Sequence, residues 1–274
     1  MKYVIGLVVA LGVVLARKAA HADPTATSSS GGLTPSYLYD GGALPLLWLP
    51  ALGSIAVDRW VQPRATPFYF DARDGGAPRS TWENPPWTLH LAALGLATAM
   101  VAGRDDSRWY HVKGLAEAMA TSSLVVSVLK PAFGRHRPDW IADVTARSDE
   151  KSFPSGHTTA AFVVATYAAL YLHGRVFDAD SSPWAEGAAY GGLFLGASLV
   201  AGERIYHARH HLSDVLAGAA IGSATSYAMF RFQDHRFRNR GTETPDGGSG
   251  GSGGWQLTPS FSRESATLGL SGAF

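Results

Sequence analysis

Five stretches rich in Ala, Gly and Leu, at 87–103, 115–129, 158–172, 188–202 and 215–230, carry almost no charge. Residues of this kind are strong helix formers, and the stretches are apolar on every face rather than along one stripe. They therefore read as helices buried in a bundle or in lipid. The spacings Gly187/Gly191, Gly192/Gly196 and Gly218/Gly222 would let neighbouring helices approach closely, in a membrane or in a soluble bundle. The uncharged runs lie at the short edge of the roughly 17 to 25 residues that a spanning helix needs. The expected fold class is all-α: a helical bundle over 85–232, membrane-embedded, with its active site at one end of the helices. A soluble bundle is the alternative.

The 274 residues are 46% hydrophobic and 16% charged, enough to bury one large core. A net charge of +1 gives no bulk bias toward a polyanion, so nucleic acid is not an expected partner. The absence of cysteine excludes disulfides, thiolate catalysis and cysteine-bound zinc. Residues 1–22 read as a secretory signal: Lys2, an apolar run over 3–16, and a small-x-small cleavage site at Ala20-His21-Ala22. Arg17 and Lys18 leave an uncleaved anchor as the other reading, and either way the chain is exported. Residues 23–84 form a loop-rich region with one apolar stretch at 41–57, read as a helix that does not span. Residues 233–254 are basic and then Gly/Ser-rich, and 255–274 alternate with period two like a small hairpin. With five spans and an outer N-terminus, the basic segments 104–113 and 231–240 face the cytoplasm, and 130–157 meets 203–214 on the outer side.

Three clusters at helix mouths concentrate cationic and imidazole side chains. They are Lys130-Pro-Ala-Phe-Gly-Arg135-His136-Arg137-Pro138, Pro154-Ser155-Gly156-His157, and Arg204-Ile-Tyr-His-Ala-Arg-His210-His-Leu-Ser-Asp214. Each alone has an ordinary explanation: a helix-dipole cation, a capped helix start, an i,i+4 polar pair. Together they describe an oxyanion site. Lys130, Arg137 and Arg204 can donate charge-assisted hydrogen bonds to phosphate oxygens. Backbone N–H groups at Ser155, Gly156 and His157 open a helix, where anions bind, and Gly156 lets the anion come close. Asp214 would hold one ring nitrogen of His210 and leave the other nucleophilic. Arg135, His136, His207, Arg209 and His211 are assigned to the rim, and His207 with His211 lacks a third partner for a metal site.

The order Lys-x6-Arg-Pro, Pro-Ser-Gly-His, Arg-x5-His-x3-Asp resembles the three-part signature of the type 2 phosphatidic acid phosphatase superfamily. That group also holds bacterial class A acid phosphatases and vanadium haloperoxidases. One position departs, because Glu203 stands where the family usually has Ser before the arginine. The resemblance implies that His210 attacks phosphorus, His157 acts as acid and then base, Asp214 orients His210, and Lys130, Arg137, Ser155, Gly156 and Arg204 hold the phosphate. It implies no cofactor and no metal. It also implies a phosphorylated lipid or small phosphoester as substrate, and a bacterial inner membrane setting with a periplasm-facing site. A soluble periplasmic acid phosphatase, a haloperoxidase and an inactive envelope scaffold are the competing readings. The oligomeric state is not legible.

Overall fold

The computed structural model describes residues 47–61, 87–103, 105–138, 151–178, 180–239, 256–261 and 266–271. Among these, six helices and one strand pair follow in order: α1 Leu49–Trp60, α2 Trp87–Ala102, α3 Arg108–Phe133, α4 Gly156–Tyr171, α5 Pro183–Tyr206, α6 Leu212–Asn239, β1 Gln256–Phe261 and β2 Ala266–Ser271. The five uncharged stretches all lie within or against α2 to α6. The helices outrun them because flanking polar residues continue the same backbone hydrogen bonding. At the start of α3, for example, Lys113 and Glu117 are buried, and Glu117 accepts a 2.6 Å hydrogen bond from Nε2 of Gln233 on α6.

Local signals set the boundaries. Pro183 opens α5, where its missing N–H costs nothing. Helix α3 ends at Gly134, whose φ of 53° is left-handed and whose N–H bonds the Lys130 carbonyl at 2.9 Å. Ser155 precedes α4 in an extended conformation. The apolar stretch expected at 41–57 becomes a helix only from Leu49 among the described residues, and it packs on α3. The expected signal segment lies outside the described residues.

Helix α4 occupies the centre, packed against α2, α3, α5 and α6. Its Val163, Tyr167 and Ala168 join Leu96, Met100 and Leu193 in one apolar core. The contact with α6 is a backbone-to-backbone approach. A Cβ at Gly222 would stand 2.3 Å from the Thr159 carbonyl oxygen, and one at Gly218 would stand 2.7 Å from that of Ser155. The Gly218/Gly222 pair thus does what its spacing predicts. Gly187, Gly191 and Gly192 on α5 do not: nothing lies within 4 Å of their added Cβ, so they mediate no helix contact among the described residues. By length and hydropathy, α3 alone among the described helices is long and apolar enough to cross a membrane. The strands pair antiparallel with Gln256 opposite Ser271 and Phe261 opposite Ala266.

Candidate active site

The three sequence clusters meet at the end of the bundle formed by the last turn of α3, the first turn of α4 and the α5–α6 connection. The left-handed turn at Gly134 carries the chain from Lys130 across this end. The chain enters α4 through Ser152 to Ser155. Helix α5 ends with Arg204, after which the N–H groups of Arg209 and His210 both bond the Arg204 carbonyl, at 3.0 and 3.2 Å. Ala208 takes a φ of 52° in this turn, a conformation that glycine usually supplies. The turn sets His210 just ahead of α6.

Asp214 locks the clusters together. Its Oδ1 accepts from Nη1 of Arg135 at 2.6 Å, and its Oδ2 accepts from Ser152 Oγ at 2.5 Å and from the His211 N–H at 2.9 Å. Its carbonyl accepts the Ser155 N–H at 3.0 Å, while the Ser152 N–H bonds the Arg135 carbonyl at 2.9 Å. Two expectations change here. The Ser155 amide is engaged by Asp214 and is not presented to an anion, which leaves Gly156 and His157 to open the helix. Arg135, assigned to the rim, is instead the charge partner of a carboxylate with no exposed surface.

His210 is 4% exposed, and its Nδ1 lies 3.7 Å from Oδ2 of Asp214. Burial lowers its pKa from 6.5 to about 4; Arg137 and Arg204 push the same way, and Asp214 opposes them. The ring is therefore neutral at ordinary pH, with Nδ1 toward the carboxylate. Arg204 is 3% exposed, and its Nε and Nη1 are buried without a hydrogen-bond partner among the described residues. Buried donors of that kind are rare and suit an incoming acceptor. Lys130 Nζ would stand only 3.8 Å from a Cβ at Gly156, so the missing side chain keeps the space beside the ammonium open. His157 is half-buried in the first turn of α4.

The remaining ambiguous histidines have local roles. His211 Nε2 lies 3.3 Å from the His136 carbonyl, a bond that ties the first cluster to the third, and the His207 ring lies edge-on to Tyr206. Among the described residues, no three of His, Cys, Asp and Glu gather to hold a metal ion. Ser152 and Arg135 are the site residues that sequence reasoning missed. Arg135 was legible in principle, since in an extended segment residues 135 and 137 share a face. Ser152 sits in a loop with no periodic signal.

The sequence profile of the PAP2 superfamily matches residues 112–238, a range that holds every site residue above. A PA-phosphatase-related-family protein of Dictyostelium discoideum is 34% identical over 152 residues, 50% of this chain and 56% of that one. The lipid A 1-phosphatase of Porphyromonas gingivalis is 34% identical over 149 residues, 54% of this chain and 30% of that one. The chain thus spans little more than half of the first relative and less than a third of the second. A transmembrane PAP2-type phosphatidylglycerolphosphate phosphatase from Bacillus subtilis superposes with a TM-score of 0.43 at 20% identity, covering 83% of this chain and 96% of that one. The three clusters that join at one bundle end all lie inside the range, residues 112–238, over which the chain matches the PAP2 superfamily.

Proposed function

We propose that this protein is a metal-independent phosphatase that hydrolyses phosphomonoesters or pyrophosphates of lipids through a phosphohistidine on His210. The observation that carries the reading is the pairing of a buried, neutral His210 with unsatisfied guanidinium donors of Arg204 at the same bundle end. Lys130, Arg137 and Arg204 supply the positive charge that the equatorial oxygens need, which is the main requirement of phosphoryl transfer. In the first step the Nε2 lone pair of His210 bonds to phosphorus, the bond to the leaving oxygen breaks, and His157 donates its proton to that oxygen. In the second, water attacks phosphorus, His157 takes the water proton, and the N–P bond breaks to release phosphate.

A lipid substrate is favoured by the outer face of α5. Trp184 and Tyr206 are 89% and 83% exposed at its two ends, with exposed Phe194, Leu195 and Leu199 and the open glycines between them. Trp and Tyr favour membrane interfaces, and the exposed apolar side chains lie between the two rings. Residues 187–202 between them carry no charge. We place the bundle in the bacterial inner membrane with the site facing the periplasm, which sets the basic segments at the opposite end on the cytoplasmic side.

The test is phosphate release from phosphatidic acid and from p-nitrophenyl phosphate by the full chain, with and without EDTA, in membrane and soluble fractions. Activity is expected in membranes, unaffected by chelator and absent from a His210→Ala variant. Full activity in a detergent-free soluble extract would overturn the membrane setting, and loss with EDTA would overturn the metal-free chemistry.

A further inference from the structure

Two donors already occupy the oxygen of Asp214 that His210 faces. Oδ2 accepts from Ser152 Oγ at 2.5 Å and from the His211 N–H at 2.9 Å, while His210 Nδ1 stands off at 3.7 Å. A carboxylate oxygen offers about two lone-pair sites, so these two bonds fill it. At 3.7 Å the ring makes no hydrogen bond of its own. His210 Nδ1 is accordingly buried without a hydrogen-bond partner among the described residues, a rare and costly state for a polar atom.

The donors around Asp214 differ in how easily they let go. The His211 N–H belongs to the backbone just ahead of α6, and Asp214 reaches back to it from the first helical turn, as the acid of a capping box does. Nη1 of Arg135 spans Asp214 Oδ1 and Ser213 Oγ, at 2.6 Å each. Ser152 alone of the three donates through a hydroxyl, which leaves an acceptor by turning about one side-chain bond. The Ser152 backbone stays in place meanwhile, because its N–H bonds the Arg135 carbonyl at 2.9 Å and the residue is fully buried.

Building on the phosphatase reading, we infer that Ser152 is a positioning residue: its hydroxyl holds Asp214 Oδ2 in the resting site and yields it to His210 Nδ1–H during phosphoryl transfer. Charge drives the exchange. The Nε2 lone pair forms the N–P bond, and the leaving oxygen departs with its bonding pair and takes the His157 proton. The ring keeps its Nδ1 proton and gains positive charge. A charged donor makes a hydrogen bond roughly twice as strong as a neutral one, so the ring displaces the hydroxyl. Once water has broken the N–P bond the ring is neutral again, and the hydroxyl returns. The charged groups that face the ring are Asp214 on α6, Arg137 after α3 and Arg204 on α5, and Arg135 faces Asp214 in turn.

The experiment compares the detergent-solubilised full chain with its Ser152→Ala variant by two readouts. Without the hydroxyl, Oδ2 opens to the resting ring. A low-field Nδ1–H proton resonance should then appear by NMR in Ser152→Ala, absent from resting wild type and from the Ser152→Ala, His210→Ala double variant. The new bond to a carboxylate favours the imidazolium, so the acid limb of kcat/KM for p-nitrophenyl phosphate should move up by about one pH unit. Ser152→Cys keeps nearly the same volume and donates only weakly, and it gives the same readouts if Ser152→Ala does not fold. An unmoved limb without the resonance, together with lower kcat and Tm, would show that Ser152 only anchors the carboxylate. A low-field resonance already present in resting wild type would show that the ring holds Oδ2 from the start. Either result overturns the inference. Wild-type protein inactive on every phosphoester would instead sink the phosphatase reading, with the resonance still deciding how Oδ2 is shared.

Discussion

Nδ1 of His210 stands 3.7 Å from Oδ2 of Asp214, although that carboxylate is already held by Arg135, Ser152 and the His211 amide. The carboxylate is fixed from three sides, so its position is set independently of the imidazole. Asp214 is thus placed to orient the proposed nucleophile, His210. Asp214→Asn should keep KM for p-nitrophenyl phosphate near its wild-type value and lower kcat by roughly 10²- to 10⁴-fold, because an amide misdirects the ring tautomer. Steady-state kinetics checks this, and an unchanged kcat would refute it.

Arg135 is predicted to matter more for stability than for turnover. It is the charge partner of a carboxylate that is fully buried, and removing one member of such a pair strands the other. Arg135→Ala should destabilise the fold by about 3 kcal/mol, visible as a lower Tm in detergent, while Arg135→Lys should recover part of the loss. A Tm equal to wild type in Arg135→Ala would place the arginine back on the rim.

The lowered pKa of His210 has a directional consequence. The ring stays neutral down to about pH 4, so the acid limb of kcat/KM should fall near pH 4 instead of near the ordinary 6.5. Stability follows the same sign. Between pH 6.5 and about 4 the unfolded chain binds the proton that folded His210 refuses, so the fold loses stability as pH drops through that window. His210→Ala should therefore show a shallower loss of Tm on acidification than wild type. Parallel pH–Tm curves for the two proteins would contradict the assignment.

Two glycines with the same sequence signature should respond in opposite ways to alanine. At Gly222 the new methyl would stand 2.3 Å from a carbonyl oxygen of α4 and 3.0 Å from the Val163 nitrogen. Backbone cannot yield cheaply, so Gly222→Ala should cost about 1–3 kcal/mol or more. At Gly191 nothing lies within 4 Å, and Gly191→Ala should stabilise the helix by up to ~1 kcal/mol through propensity. Thermal melts of the two variants provide the comparison.

The same contrast shows what a sequence of this kind reveals. Helix existence was legible at 87–103 and at the four other stretches, because uninterrupted Ala, Gly and Leu leave few alternatives to a buried helix. Helix ends were less so. Lys113 and Glu117 look like surface residues until Gln233, more than a hundred positions away, is seen to share their interior. The clusters that meet at the bundle end were readable from chemistry and spacing, since Lys130, Arg204, His210 and Asp214 each carry a distinctive functional group and Gly156 carries none. The supporting shell was not: the Ser152 hydroxyl and Arg135 guanidinium acquire meaning only once α6 places Asp214 between them. Nor could spacing tell which glycine pairs meet a neighbour, because Gly187/Gly191 and Gly218/Gly222 are identical in pattern.

The intimate crossing of α4 and α6 has a further effect on the proposed chemistry. Gly218 lies one turn beyond Asp214, and its closest neighbour is the backbone of Ser155, two positions ahead of His157. At these glycines the two rods meet almost backbone to backbone, and hydrogen bonds from Thr166 to Ser223 and from Ser226 to the Val163 carbonyl tie them further, so the proposed proton donor sits on a stiff pair of helices. Any motion that the proposed chemistry requires is then expected from the other wall, where α1 and α2 pack on α3.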